Sequence, residues 1–501
     1  MAGVVEWQGE KVFRTRFAEL LDTALKVRAR ALQTSWPVPM AAAGDTCPLP
    51  LKLQAEERNM CPHIEVQFVP WGAGAIEGLT PLQHVQFALT LPHPACEASV
   101  IDPAVQEAID FELALPTPDV DAFRQERLER LIFIAAQLEM EQSVWSEGAP
   151  PTLQPVVRRI HGPLWKMLLH AIDVQAEAFL RALQQGFPLV GVLPECEGSA
   201  SAAYPSFPLS VQELRANRDA LNQKVVSSLG ELPHSSDILE QTLEDSQEGF
   251  MSPPRLLVPS DLRTKSLTRR IPVREERASG WRTRVVDHET ESGINSATAP
   301  VDKIQHHSLD SLVVLLQRFM SAGVEAHMWK RDISKAFRRV PIQADHHDLA
   351  WTVWKSHGQI WVSQHFGMPF GTISAVYGWH RVGHMLWLIL VRFFLAPANR
   401  YVDDYFGASR SGVTWSSGRI LSVLSRLLGF PTDHSKDADA TWEMVVLGAS
   451  VQVSWKQQQI FTHVSHDKAQ KYRALLQHML DCQELAGREK PPKWQGDWGS
   501  Q

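Results

Sequence analysis

The chain has 501 residues, enough for about three domains or subdomains, and its 44% hydrophobic content permits large cores. Its five cysteines form no paired framework, which indicates a reducing compartment and argues against a disulfide-stapled secreted fold. The net charge of −7 argues against a uniformly basic nucleic-acid binder, but residues 1–250 carry 18 Lys and Arg against 33 Asp and Glu, whereas residues 251–501 carry 31 against 23. The second half is therefore the basic one.

Residues 1–150 are predicted to be a mainly helical region of unknown role. Helical stretches are expected over Lys11–Thr34 and Val120–Val144, among irregular segments that contain proline. Cys61–His63 and His93–Cys96 offer potential zinc ligands, but their spacing is not that of a compact zinc finger, so isolated residues are the preferred interpretation. Glycine and prolines cluster over Ser146–Pro155 and indicate a boundary there.

Residues 151–300 combine further helices, one of them expected over Leu239–Met251, with the densest basic run of the chain. The basic residues are Arg255, Arg263, Lys265, Arg269, Arg270, Arg274, Arg277, Arg282 and Arg284. A polyphosphate or a nucleic-acid template would need such a lining. A solvated face is the alternative, and it stays equally open for the first five of them.

Two blocks between residues 326 and 375 indicate a strand end and a shaped loop. Ala326–Trp329 suits a strand that Asp332 would end, and Ser334–Arg339 would then turn away helically. Phe366–Ala375 contains Gly and Pro residues, which shape a loop whose backbone can approach a flat ligand closely. A long apolar helical run follows. Within it, Met385–Ala396 is short of the roughly 20 apolar residues that a membrane span needs, so a buried helix is expected.

Tyr401–Asp404, with the sequence YVDD, places two adjacent carboxylates among aromatic and β-branched residues. This pattern predicts a tight hairpin with the acids at its tip. Mg²⁺ takes oxygen ligands from carboxylates and phosphates, and two such ions can hold the attacking and leaving oxygens of an in-line phosphoryl displacement. A solvated turn is the alternative, because Asp-Asp pairs are common in turns.

In this order and spacing, the three blocks resemble motifs A, B and C of the palm of reverse transcriptases, of the retrotransposon type. Asp332–Phe337 fits the family's Asp, three residues, Ala, then Phe or Tyr; Pro369–Gly371 matches Pro-Phe-Gly; and Tyr401–Asp404 matches motif C. Weaker resemblances to motif D, motif E and the fingers segment fall on Leu428–Lys436, Val446–Gly448, Gly280–Asp287 and Ser292–Asn295. The resemblance covers about residues 150–480.

The resemblance implies an α+β fold of the right-hand polymerase class, in which an antiparallel sheet packs on helices. It divides the chain into an N-terminal region (1–150), a fingers-like region (151–300), a reverse transcriptase palm (301–455), and a partial thumb with a tail (456–501). The thumb would begin with a helix over Asp467–Leu485.

The resemblance also implies the site. Asp332 and Asp403 would bind two Mg²⁺ ions, with the Ile333 carbonyl as a further ligand, Asp404 as a less direct one, and Mn²⁺ as an alternative ion. The other implied roles are phosphate binding by Arg282 and Arg284, sugar contact by Phe337, base-pair packing by Phe370 and Gly371, and proton donation to the leaving group by Lys436. For Lys436 a solvated loop lysine is the alternative.

The implied function is RNA-directed DNA synthesis from dNTPs on a primed RNA or DNA template. The ring of Phe337 would block a 2′-hydroxyl and so favour deoxynucleotides. The alternative is an inactive or host-adapted remnant of a retroelement that binds nucleic acid without synthesis. The acidic N-terminus has no apolar core after it, so a cytoplasmic or nuclear protein without a signal peptide or membrane segment is expected. No sequence feature defines an oligomeric state.

Overall fold

The computed structural model describes residues 101–196, 209–277, 280–464, 468–475 and 477. The helix predicted over Lys11–Thr34, both candidate zinc segments and the C-terminal tail lie outside these residues. Chain contacts divide the protein into two compact units, Met1–Ile101 and Asp102–Gln501. All elements named from here on belong to the second unit.

Helices dominate the first part of this unit. In chain order they are α1 (Pro103–Ala114), α2 (Thr117–Gln137), α3 (Glu139–Glu147), α4 (Gln154–Val157), α5 (Gly162–Ala171), α6 (Glu177–Gln185), α7 (Val211–Ala216), α8 (Arg218–Ser227) and α9 (Ser235–Gln247). The single helix predicted over Val120–Val144 is instead two helices, α2 and α3, which meet at Leu138. α9 ends before the predicted Met251, because Gly249 adopts a left-handed φ of +75° just beyond it.

A buried arginine on α2 joins these helices to a later part of the chain. Arg124 forms an ion pair with Glu112 on α1 at 2.7 Å, and both side chains are fully buried. Its guanidinium also donates to the carbonyl oxygen of Leu395 at 2.5 Å and to that of Phe394 at 3.3 Å. Helices before residue 150 are thus built into the same compact unit as the predicted palm. The four-region division of the sequence stays a prediction.

Strands form the rest of the framework. They are β1 (Gly191–Val192), β2 (Arg255–Leu256), β3 (Leu267–Arg277), β4 (Gly280–Asp287), β5 (Thr298–Ala299), β6 (Ala326–Asp332), β7 (Trp351–Ser356), β8 (Gln359–Gln364), β9 (Asn399–Tyr401), β10 (Asp404–Arg410), β11 (Ala438–Thr441), β12 (Glu443–Val446), β13 (Ala449–Ser454) and β14 (Gln459–Val464). They pair in the orders β1-β5, β2-β8-β7-β3-β4, β11-β6-β10-β9 and β12-β13-β14. All pairs of the four-stranded sheet are antiparallel.

Four more helices with bounds of their own follow within the described residues. They are α10 (Asp261–Thr264), α11 (Leu309–Ser321), α12 (Ile373–Leu388) and α13 (Ser417–Leu427). α11 and α13 pack on the four-stranded sheet. Trp329 on β6 is buried opposite Gly407 on β10, where a Cβ atom would lie only 2.7 Å from the carbonyl oxygen of Pro397. Glycine therefore permits the close packing that holds β10 in place.

The mixture of helices and mainly antiparallel sheets confirms the predicted α+β class, while the fingers, palm and thumb assignments stay predictions. The buried helix predicted over Met385–Ala396 is the end of α12 followed by a π-helical turn at Ile389–Phe393, on which Arg392 is exposed. The predicted thumb helix is helical over 468–475 within its described part. In the part of the chain that the structure describes, no helix is long and apolar enough to cross a membrane.

Candidate active site

Two neighbouring strands meet at the candidate site. β6 ends at Asp332, β10 begins at Asp404, and these two residues are direct partners in the antiparallel ladder. The amide of Ile333 donates to the carbonyl oxygen of Asp403 at 3.1 Å. The register of one sheet thus brings together the three carboxylates that the sequence singles out.

The YVDD segment forms the tight turn between β9 and β10, in which Tyr401 pairs with Asp404. Val402 at its tip has a φ of +52°, in the left-handed region that β-branched residues rarely adopt. Such strain persists only where the surrounding structure enforces it, and it is typical of functional turns. The turn is therefore more constrained than the solvated turn considered as the alternative.

Burial and like charge raise the pKa values of two of the carboxyl groups. The pKa of Asp403 rises to about 6, first because of burial and then because of Asp332 and Asp404. Burial also raises the pKa of Asp332, and the neighbouring Lys436 ammonium opposes that shift. Shifted acids of this kind at a sheet edge are typical of functional sites.

Two lysines neutralise the outer carboxylates. Lys436 Nζ lies 2.8 Å from Asp332 Oδ1, and Lys330 Nζ lies 3.2 Å from Asp404 Oδ1. Lys330 is absent from the sequence-based site, although its place two residues before Asp332 on a strand puts both side chains on one face. Among the described residues, no group of three or more His, Cys, Asp or Glu side chains is spaced to hold a metal ion. The donor set has the oxygen chemistry that Mg²⁺ requires, but it is not arranged as a formed metal cage.

A second group of predicted residues meets around an aromatic ring. The ring centroids of Phe337 and Phe370 are 5.8 Å apart, and the Arg284 guanidinium lies 4.4 Å from the centroid of Phe370. Arg284 also pairs with Glu275 on β3 at 3.2 Å. Arg282 is exposed two residues earlier on β4, and therefore on the same face as Arg284. These four residues form one aromatic and basic surface.

Arg282 also lies within electrostatic reach of Asp433, whose backbone is bonded to Asp332. The Ser435 hydroxyl lowers the pKa of Asp433, and Lys436 and Arg282 lower it further. The amide of Asp433 in turn donates to the carbonyl oxygen of Asp332 at 2.8 Å. The segment predicted as motif D therefore links the aromatic and basic surface to the carboxylates.

The loop at Gly371 is drawn tightly against β4 and its neighbours. Gly371 has a φ of +106°, and a Cβ atom there would lie 2.9 Å from the carbonyl oxygen of Asp287. Asn295 holds the loop from the other side, because its Nδ2 donates to Gly371 O at 3.0 Å and its Oδ1 accepts from the amide of Ile373 at 2.9 Å. The segment Ser292–Asn295, which the resemblance assigns to the fingers, thus holds the Gly371 loop in place through Asn295.

The turn after Asp332 differs from the predicted helix over Ser334–Arg339. Only Phe337–Arg339 forms a short 3₁₀ turn, since Lys335 takes a left-handed φ of +52°. Its Nζ contacts Asp245 on α9 at 3.1 Å and Glu248 at 2.8 Å. This tertiary ion pairing holds Lys335 in the conformation that interrupts the helix.

A buried ionic cluster that local sequence patterns do not indicate lies behind this turn. Arg338 donates to His365 Nδ1 at 2.5 Å and lies 3.6 Å from Asp287 Oδ2, which also faces His365 Nε2 at 3.3 Å. Burial alone would raise the pKa of Asp287, but Arg270, His365 and Arg338 hold it below its usual range. The cluster ties the segment that carries Phe337 to β3, β4 and the end of β8.

Comparisons with known proteins give a distant structural likeness. No protein-family model and no curated protein matches the chain. Among solved structures, a foamy viral protease-reverse transcriptase (dRH form) in complex with double-stranded DNA aligns with a TM-score of 0.37 and 14% identity, over 65% of this chain and 49% of that chain. The foamy viral protein with an RNA/DNA hybrid gives 0.32 and 14% over 67% and 37%, and with double-stranded DNA 0.34 and 13% over 72% and 64%. The chain spans about half the length of the first of these proteins. At these values the geometry of the site itself has to carry the functional proposal.

The raised pKa of Asp403 predicts that the site destabilises the protein at neutral pH. Between the ordinary Asp value of about 4 and a pKa of about 6, the folded chain keeps a proton that the unfolded chain releases. Stability should therefore fall as the pH rises through this window. Asp403→Asn should raise the free energy of unfolding at pH 7.5 by roughly 1–3 kcal/mol, measured by urea denaturation in a chelating buffer.

The gain should shrink towards pH 4, where the Asp403 carboxyl is protonated in the folded chain and about half protonated in the unfolded chain. Glu325→Gln, which changes an exposed acid, serves as the control and should leave stability unchanged. A lower stability of Asp403→Asn at pH 7.5 would contradict the raised pKa of Asp403.

Proposed function

We propose that the chain is an RNA-directed DNA polymerase, which transfers nucleotides from dNTPs to the 3′-hydroxyl of a primer. The observation that carries the proposal is the pairing of Asp332 with Asp404 at the edge of one sheet, with Asp403 in the strained turn beside them. A fold has no structural need to gather three carboxylates and raise the pKa values of two of them, Asp332 and Asp403. The aromatic and basic surface of Phe337, Phe370, Arg282 and Arg284 adds groups suited to a nucleotide.

Asp332, Asp403 and the carbonyl of Ile333 would hold Mg²⁺, with Asp404 as a less direct ligand and Mn²⁺ as an alternative ion. Carboxylate and carbonyl oxygens are the ligands such ions prefer. Once bound, the ions would stabilise the charge on the attacking and leaving oxygens of the phosphoryl displacement. Because the pKa of Asp403 is raised to about 6, cation binding below that pH would have to displace a proton.

The remaining side chains would bind the nucleotide and handle the leaving group. Arg282 and Arg284 offer guanidinium forks to the phosphates. Phe370 and Gly371 would pack on the nascent base pair, and the close approach of the Gly371 loop to β4 supports this placement. Lys436, held 2.8 Å from Asp332, would donate a proton to the leaving pyrophosphate.

Primer extension tests the proposal. A labelled DNA primer is annealed to RNA and DNA templates of matched sequence and incubated with the protein, dNTPs and Mg²⁺. We expect extension on the RNA template, with retained activity in Glu325→Gln. Binding of the same primer-template is followed by fluorescence anisotropy.

The binding measurement separates the two candidate functions. Binding without extension would favour the alternative, a catalytically inactive or host-adapted nucleic-acid-binding protein. The specific observation behind that alternative is that Lys436 and Lys330 occupy the outer carboxylates. Neither binding nor extension would reject both functions.

A further inference from the structure

We propose that Arg400 is a positioning residue that fixes the acidic turn through the carbonyl oxygen of Val402. The inference rests on the proposed function, because it concerns how Asp403 is oriented for that reaction. Its starting point is the strain at Val402, whose left-handed φ of +52° is unfavourable for a β-branched residue. Contacts outside the turn must hold such a conformation.

Two buried donors hold it. Trp379 Nε1 on α12 donates to Val402 O at 2.8 Å, and Arg400 Nη1 donates to the same oxygen at 3.0 Å. Both side chains are almost completely buried. On the other side of the turn, the Ile333 amide donates to the carbonyl oxygen of Asp403 at 3.1 Å. The peptide groups on both sides of the Asp403 Cα are thereby fixed.

Burying the Arg400 guanidinium to make one of these hydrogen bonds costs free energy, because a charged group is removed from water. Within the described ranges no carboxylate lies at ion-pair distance from it, although Asp403 attracts its charge from farther away. Its other side-chain partner is the neutral acceptor His380 Nδ1, at 2.9 Å. A buried charge without a directly bonded carboxylate costs free energy that the fold would avoid with an apolar residue. The presence of a charged side chain at this buried position is explained if the guanidinium has to orient the turn.

The surrounding structure is shaped to admit this side chain. Gly383 lies inside α12, and a Cβ atom there would lie 3.0 Å from Arg400 Nη1 and 3.3 Å from the hydroxyl of Tyr405. Glycine inside a helix is destabilising relative to alanine, because it loses more conformational freedom on folding. The Arg400 backbone is also fixed, because its amide donates to His307 Nδ1 at 3.1 Å. The glycine in α12 thus leaves room for a buried guanidinium, and that guanidinium donates to a carbonyl oxygen of the strained turn.

The test uses Arg400→Met, which keeps the length of the side chain and removes its donors. Groups that hold a metal-binding segment in place through hydrogen bonds are typically worth about 10–100-fold in metal affinity or activity. We expect Mn²⁺ binding to the full chain, titrated by electron paramagnetic resonance without nucleic acid, to weaken by about tenfold. In primer extension, kcat should fall by a similar factor while KM for dNTP changes little. Arg400→Lys should restore part of both losses.

Two further variants complete the design. Trp379→Phe removes the second donor to the same oxygen and should weaken Mn²⁺ binding in the same direction, so it serves as the test if Arg400→Met does not fold. Arg392→Gln removes an exposed arginine of the π-helical turn and should behave as wild type. Folding of each variant is checked by circular dichroism.

The Mn²⁺ readout keeps this inference separate from the proposed function. If wild type binds Mn²⁺ but does not extend primers, the polymerase proposal fails while the role of Arg400 is still decided by metal affinity. Wild-type Mn²⁺ affinity in folded Arg400→Met would overturn the inference. Absence of Mn²⁺ binding in wild type would overturn it as well, since no metal-binding carboxylate would then need positioning.

Discussion

Asp403→Asn is expected to reduce primer extension by roughly 10³-fold, equivalent to about 4 kcal/mol of transition-state stabilisation. The amide keeps the size of the side chain but loses the negative charge that the reaction needs beside Asp332 and Asp404. Single-turnover extension with saturating dNTP measures the loss directly, because it excludes product release. Glu325→Gln is the matched control for removal of an acid.

The stability of the same variant separates loss of chemistry from loss of folding. Asp403→Asn is expected to be more stable than wild type at pH 7.5, since the pKa of Asp403 is raised to about 6 by burial and by its acidic neighbours. A variant that is more stable and inactive has lost a functional group, not its fold. Combining it with Asp332→Asn should add little further loss, because residues that act as a unit are non-additive. Near-normal extension by Asp403→Asn would show that the Asp403 carboxylate takes no part in the reaction.

The acidic edge, formed by Asp332, Asp403 and Asp404, is the part of the site that the sequence predicts best. Asp332 follows a short strand pattern, and Asp403 and Asp404 lie between two strand-forming segments, so local propensity and the resemblance agree on both elements. The structure adds the register, in which Asp404 lies opposite Asp332. Lys330 could have been found from the two-residue period of β6, which places it on the face of Asp332.

Contacts between distant segments explain what the sequence does not predict. Arg338 meets Asp287 and His365 only because β4, β8 and the turn after β6 come together in space. The left-handed conformation of Lys335 depends on acids contributed by and just after α9, and no local pattern signals it. No local sequence pattern distinguishes Arg400, whereas tertiary packing buries it beneath the acidic turn.

Phe337→Ala is expected to relax the choice between ribonucleotides and deoxynucleotides by roughly 10²-fold, the scale on which a pocket rejects one added hydroxyl group. The 3₁₀ turn that carries Phe337 begins five residues after Asp332. Its ring packs 5.8 Å from Phe370, which lies under the Arg284 guanidinium. The ring is thereby held against Phe370 on the aromatic and basic surface, where under the proposed function the sugar of a bound nucleotide would lie.

Phe337→Tyr is the matched control, because it keeps the ring and should keep the preference for deoxynucleotides. Single-nucleotide extension with competing dNTP and rNTP gives the ratio of kcat/KM values for each variant. We expect this ratio to shift in Phe337→Ala mainly through better use of the ribonucleotide, while extension with dNTP persists at a reduced rate. The anchoring of the turn through Lys335 and Arg338 implies that the backbone stays in place when the ring is removed. An unchanged ratio in a folded, active Phe337→Ala would therefore assign sugar selection to another residue.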